Sequence, residues 1–125
     1  MIDDFRRHVD YVVPQGKAAL CDVYIRSGWY RFLINGSNAV IPTKCVQVYR
    51  CGTQAPIWLN VRGGLPLPGK EKIGQACAAW RLPRKEINCC MSKSTAIVKN
   101  CGDFYVYRIS ATRGCNLGYC TTGKI

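Results

Sequence analysis

The chain has 125 residues, a formal net charge of +11 and 48% hydrophobic residues, enough to bury one core and too apolar for a disordered tail. Nine cysteines exclude an ordinary protein of a reducing compartment, because thiols at that density persist as disulfides or metal ligands. No run reaches the roughly 18 uncharged apolar residues of a membrane span, so no transmembrane segment is expected.

Residues 1–20 read as an N-terminal arm or linker, and residues 21–125 as the folded body. Within the arm, Ile2, Phe5, Val9 and Val12 fall 3, 4 and 3 apart, which suits one apolar stripe on a brief helix. Asp3, Asp4, Arg6, Arg7 and Asp10 deny it the apolar centre of a signal peptide. The sequence therefore reads as a mature or excised part of a secreted protein. Pro14 and Gly16 punctuate the chain before Cys21 opens the body.

The body reads mostly as strand. Gly28 to Ile34 is aromatic and apolar and ends at Asn35-Gly36, a strong turn signal. Cys45 to Cys51 alternates, and in an unbroken strand its two cysteines share a face. Val61 to Lys72 contains Gly63-Gly64-Leu65-Pro66-Leu67-Pro68 and reads as an exposed loop. Glu71 to Trp80 reads as a short helix. Thr95 to Cys101 and Phe104 to Ile109 complete the strand candidates. Trp29, Trp58 and Trp80 stand beside small or apolar residues, as core aromatics do.

Metal binding is disfavoured. No two cysteines have the C-x-x-C spacing that grips one tetrahedral ion, and His8 is the single histidine. Known small secreted enzymes fail on chemistry as well. A ribonuclease of the two-histidine kind lacks its second proton carrier. A calcium-type phospholipase carries His-Asp after its adjacent cysteines, whereas Cys89-Cys90 precedes Met91-Ser92-Lys93-Ser94. The seven carboxylates, Asp3, Asp4, Asp10, Asp22, Glu71, Glu86 and Asp103, form no recognisable acid-base pair and read as surface charges. No catalytic residue and no cofactor are expected.

The charge is uneven. Residues 1–22 carry three basic and four acidic residues, and the remainder carries fifteen and three. A cationic body attracts anionic glycans, acidic proteins and microbial surfaces. Arg62, Lys70 and Lys72 on the Gly/Pro loop, Arg81, Arg84 and Lys85 beyond it, and Arg108 and Arg113 are the candidate partner-binding residues. Nothing indicates nucleic acid.

The cysteine order and its neighbours resemble the eight-cysteine domain of the uromodulin type, shared with the major zymogen-granule membrane glycoprotein. The motifs are Cys21-Asp22, Gly28-Trp29-Tyr30-Arg31-Phe32, Cys45 to Cys51, Ala55-Pro56-Ile57-Trp58-Leu59-Asn60, Ala76-Cys77-Ala78-Ala79-Trp80, Cys89-Cys90, Tyr105-Val106-Tyr107 and Leu117-Gly118-Tyr119-Cys120-Thr121. Eight cysteines alone leave roughly a hundred connectivities. The resemblance implies Cys21–Cys115, Cys45–Cys89, Cys51–Cys120 and Cys77–Cys90. Cys101 is then left over, because the upstream cysteine that pairs with it in such domains is absent from residues 1–20. It reads as a buried free thiol, as a link to a covalent homo-oligomer, or as a sign that upstream sequence is absent. Related domains carry glycosylation sequons after the Trp-Leu-Asn and Tyr-Val-Tyr motifs, one glycan serving as a decoy for bacterial adhesins. Here both places lack a sequon, and Asn35-Gly36-Ser37 supplies a different one.

The expected fold is mainly β, a small disulfide-rich antiparallel domain with one or two short helices. The expected function is a secreted, extracellular, non-enzymatic recognition or assembly module that binds anionic or glycan partners through a rigid cationic surface. The alternative is a cationic host-defence or venom effector acting on membranes or microbes.

Overall fold

The computed structural model describes residues 1–83 and 86–123. Among the described residues nine strands run in chain order: β1 (Ile2–Asp3), β2 (Gly28–Tyr30), β3 (Phe32–Ile34), β4 (Ser37–Ala39), β5 (Ala55–Asn60), β6 (Glu71–Arg81), β7 (Ile87–Asn100), β8 (Tyr105–Ile109) and β9 (Leu117–Tyr119). They form a three-stranded sheet, β1-β3-β4, and a six-stranded sheet, β2-β8-β7-β6-β5-β9. Most pairings are antiparallel, whereas β1–β3 and β5–β9 are parallel. Helix is confined to two single 3-10 turns, Phe5–Arg7 and Asp22–Tyr24, among the described residues.

Several local expectations give way to tertiary structure. Glu71–Trp80 is not a helix but most of β6. Its small residues Gly74, Ala76, Ala78 and Ala79 are buried between neighbouring strands, and pairing on both sides outweighs a modest local preference for helix. Gly28–Ile34 is two strands rather than one, because the chain passes from the larger sheet to the smaller at Arg31. Cys45–Cys51 is irregular: Val46 and Val48 are buried as alternation requires, but Tyr49 and Cys51 have φ of 63° and 62°, which no strand sustains. Asn35-Gly36 does turn the β3–β4 hairpin, with φ of 50° and 81°, the left-handed pair that a two-residue hairpin loop demands.

The core lies between the two sheets. Phe32, Ala39 and Ile41 pack from one side against Ile57, Leu59, Ala96, Val98, Tyr107 and Tyr119. Burial pushes the Tyr107 hydroxyl far above its usual range and that of Tyr119 to about 12. Both therefore stay neutral, Tyr107 accepting from the Ile41 amide and Tyr119 donating to the Ser110 carbonyl. The disulfides are Cys21–Cys115, Cys45–Cys89, Cys51–Cys120 and Cys77–Cys90, each of a kind that contributes about 2–5 kcal/mol in a small secreted domain. Cys89 and Cys90 are chain neighbours yet bond to different partners. They sit where the β6–β7 register shifts between Ala78 and Trp80, an irregularity that turns consecutive side chains toward separate partners.

The first residues pack against the body. Ile2 and Asp3 pair with Phe32 and Leu33, and the chain forms a 3-10 turn in place of the brief helix. The Asp3 carboxylate accepts from the Asn35 and Gly36 amides at 2.9 Å each. Arg7 inserts beneath β9. Its guanidinium donates both ends to the Asp22 carboxylate at 2.7 Å and a further bond to the Tyr119 carbonyl at 3.0 Å. Asp22 also accepts from the Tyr119 amide at 2.7 Å. Asp22 is thus a buried structural anchor, 4% exposed, and not a surface charge. Removing one member of such a pair strands the other without water or counter-charge. Arg7→Met should lower unfolding free energy in denaturant titration by about 3–5 kcal/mol. Adding Asp22→Asn should cost much less than the sum of the two single changes.

Candidate recognition surface

The six-stranded sheet buries one face and divides the other into a covered part and a bare part. At the β5–β6 end, Trp58 stands opposite Cys77, packs with Val46, Cys51 and Cys120, and donates from its indole Nε1 to the Cys89 carbonyl at 2.7 Å. The segment around Cys45 is tied there by the Cys45–Cys89 bond. Farther along the strands nothing covers the sheet among the described residues.

There the registers place Trp29 opposite Arg108, Arg108 opposite Ile97, and Ile97 opposite Ile73. Residues directly opposite in a sheet project on the same face, so these four cross the sheet as one row. Trp29 is 44% exposed and Ile73 72%, high values for large apolar groups. A flanking row holds Val106, Lys99 and Glu71. On the other side Thr95, Gln75 and Asn60 join Arg62 and Ile73 around an open depression of about 530 Å³. The arrangement is an apolar row set among cations and hydrogen-bonding groups, with Glu71 its one acid among the described residues.

The cationic candidates disperse. Arg108 lies within the row and Arg62 borders the depression. Lys72 holds the Gly/Pro loop, donating to the Gly64 carbonyl at 3.0 Å and more weakly to that of Arg62. Lys70 is exposed at the start of β6. Arg81 ends that strand about 30 Å from Lys72 at the usual rise per residue, with its guanidinium 5.8 Å from the Tyr49 ring centre. One patch does not contain both. Arg113 borders a separate cleft beside β7. Arg84 and Lys85 lie outside the described residues. Sequence reasoning does not single out Trp29, Ile73, Ile97 and Lys99 as surface residues. Alternation at Lys93, Thr95, Ile97 and Lys99 is the signal that finds part of the row. Trp29 is not a core aromatic, whereas Trp58 and Trp80 are half-buried.

A second concavity of about 570 Å³ lies between the β3–β4 hairpin and the β7–β8 turn. The Arg31 guanidinium stacks 3.9 Å from the Phe104 ring centre and donates to Asn38 Oδ1 at 2.6 Å, so its hydrogen-bonding capacity is partly satisfied within the protein. Asn35 is exposed at the hairpin tip. Cys101 is a free, exposed cysteine, which removes the alternative of a buried thiol.

Fold and surface together define a disulfide-stapled β module with a bare, amphipathic sheet face. The sequence matches the model of the uromodulin-like eight-cysteine domain over residues 30–121, and the chain belongs to that family. It is 46% identical over 100 residues to the Homo sapiens pancreatic secretory granule membrane major glycoprotein GP2, covering 78% of this chain and 17% of the relative. Against the Rattus norvegicus GP2 it is 42% identical over 106 residues, 81% of this chain and 18% of the relative. Against Mus musculus uromodulin the figures are 37% over 122 residues, 96% and 17%. The chain thus spans less than a fifth of these relatives' length.

Two measurements test the surface. Acrylamide should quench Trp29 emission more efficiently than that of the other indoles, and Trp29→Phe should remove the readily quenched component. In the folded, unreduced protein, iodoacetamide should label Cys101 alone.

Proposed function

We propose that the domain is a secreted, non-enzymatic recognition module that binds acidic glycans on the bare part of its large sheet. The row Trp29–Arg108–Ile97–Ile73 carries this reading. An exposed indole offers a flat apolar face to the C–H side of a sugar ring, and an adjacent guanidinium pairs with sulfate or carboxylate through two parallel hydrogen bonds. Lys99 and Arg62 extend the positive potential, while Asn60, Gln75 and Thr95 provide neutral hydrogen bonds suited to hydroxyls. The disulfide framework supports an oxidising, extracellular setting, as does the similarity to a secretory granule glycoprotein. The framework also supports a surface that changes little on binding, which keeps the ordering penalty of association low.

Asn35 is the proposed glycan acceptor of this chain: its sequon lies on an exposed hairpin turn of the three-stranded sheet, whereas the Trp29 row lies on the six-stranded one. The tethered sugar and the glycan-binding face are then separate features.

Binding to immobilised heparin should weaken steeply as salt rises through the physiological range, because the contacts are between exposed charges. The double change Arg108→Glu with Lys99→Glu should abolish retention at physiological salt, and Trp29→Ala should weaken it. Lys17→Glu with Lys44→Glu alters net charge equally but leaves the face intact, and should have a smaller effect. Equal losses from both pairs would show that total charge, and no particular surface, is responsible.

A further inference from the structure

The ends of the six-stranded sheet are short: β2 and β9 have three residues each. Short edges present few free backbone groups, a common defence against unwanted pairing. The long open edge lies inside the sheet. Strand β7 has fourteen residues, and β6 pairs with it along most of its length. On its other side β8 pairs only with Ile97 to Asn100. From Ser92 to Thr95 the β6–β7 register is regular, while β8 ends at Ile109, abreast of Ala96, and no strand lies farther along that edge among the described residues.

After Ile109 the chain leaves the sheet, and residues 110–113 run beside this open edge without a backbone hydrogen bond to it among the described residues. Edge and loop enclose a cleft of about 130 Å³. Its floor is apolar: Ile57, Ala76, Ala78, Leu117 and Tyr119 line it, and Ser92, Ser94 and Thr112 add hydroxyls at its sides. The volume is below the roughly 300–1,000 Å³ of a small-molecule site and suits a single side chain. Lys93 and Arg113 border it, and no acidic residue lines it among the described residues.

We infer that this edge is a peptide-binding site, taking an extended segment of a partner protein that carries acidic residues and adds itself as a strand against Ser92–Thr95. Three observations converge on that occupant. In a regular antiparallel pair every second residue turns its N–H and C=O away from the neighbour, so β7 offers an unused row of main-chain donors and acceptors. The apolar floor accepts one inward side chain of the incoming strand, the usual division between main-chain affinity and side-chain specificity in strand addition. The charges choose between partners. A second copy of this chain docking edge to edge brings Lys93 toward its own counterpart, and like charges across strands repel. An acidic segment meets Lys93 and Arg113 favourably.

The site lies outside the Trp29 row and meets the proposed glycan face only at Thr95, and its test is separable from that of glycan binding. The probe is a short fluorescent peptide alternating valine and glutamate, titrated against the whole oxidised chain by fluorescence anisotropy. Binding is expected, and methylating alternate backbone nitrogens of the peptide, in the register that removes the donors facing β7, should weaken it roughly tenfold or more, about 1.4 kcal/mol. Both registers are made, and only one should be affected strongly. Lys93→Glu with Arg113→Glu should invert the preference toward a valine–lysine peptide, while Trp29→Ala and Arg108→Glu leave it unchanged. Both variant positions are exposed, and circular dichroism checks that the fold persists. Absence of binding overturns the inference. So does binding that neither methylation register weakens, which reports charge attraction alone, or a concentration-dependent dimer that the acidic peptide fails to compete away, which assigns the edge to a second copy.

Discussion

The bidentate pair between Arg7 and Asp22 is the constraint on which the arrangement of the chain ends depends. One carboxylate receives two guanidinium hydrogens and the Tyr119 amide, and the same guanidinium reaches the Tyr119 carbonyl. The initial segment, the turn after Cys21 and β9 are therefore joined through a single buried charge pair. Arg7 also lies 5.8 Å from the Phe32 ring centre, so the pair touches the smaller sheet. Around it the Arg7 carbonyl accepts from Thr121, and the Thr121 carbonyl accepts from Val9, continuing the tie along the backbone. Gly52 permits the close approach of this segment: a Cβ there would stand 2.7 Å from the Arg6 carbonyl oxygen, and its φ is +71°. A side chain at that position meets both a steric and a backbone penalty.

What the sequence makes legible divides along physical lines. The aromatic and β-branched run at Phe104–Ile109 and the Asn-Gly turn translate directly, since both depend on neighbouring residues alone. The mainly β class and the eight-cysteine family are legible too, the second through motifs and order. Glu71–Trp80 is not, because alanine and glycine fit either backbone and the decision rests with β5 and β7, which pack on both sides of it. Cys45–Cys51 misleads in the opposite direction. Its valines do alternate into the interior, but Cys45 and Cys51 are drawn to different partners, Cys89 and Cys120, and the backbone follows the bridges. The Arg7–Asp22 contact spans fifteen residues with no local signature; two ordinary surface-type residues become buried only because each finds the other.

The candidate surface is less legible still. Composition reports that cations abound, whereas the fold decides which of them share a face. Lys72 illustrates the difference: its ammonium is directed to loop carbonyls and serves the Gly/Pro turn. Arg108 acquires its meaning from Trp29 and Ile97, residues distant in the chain that the registers of β2, β7 and β8 bring side by side. A sheet face left bare by the overlying segment, and an edge left bare by a short neighbour, are properties of strand length and order. Neither is written in any one stretch of residues.

The adjacent cysteines of β7 carry one more consequence. Cys89 reaches Cys45 and Cys90 reaches Cys77, so exchanging their roles moves each crosslink by a single residue. In a regular strand such a slip reverses the facing of every side chain beyond it. It would turn buried Ala96 and Val98 outward and the exposed Lys99 inward. Hydrophobic facing along the rest of the strand therefore proofreads two covalent bonds at once, penalising the swapped crosslinks through residues that are not themselves oxidised.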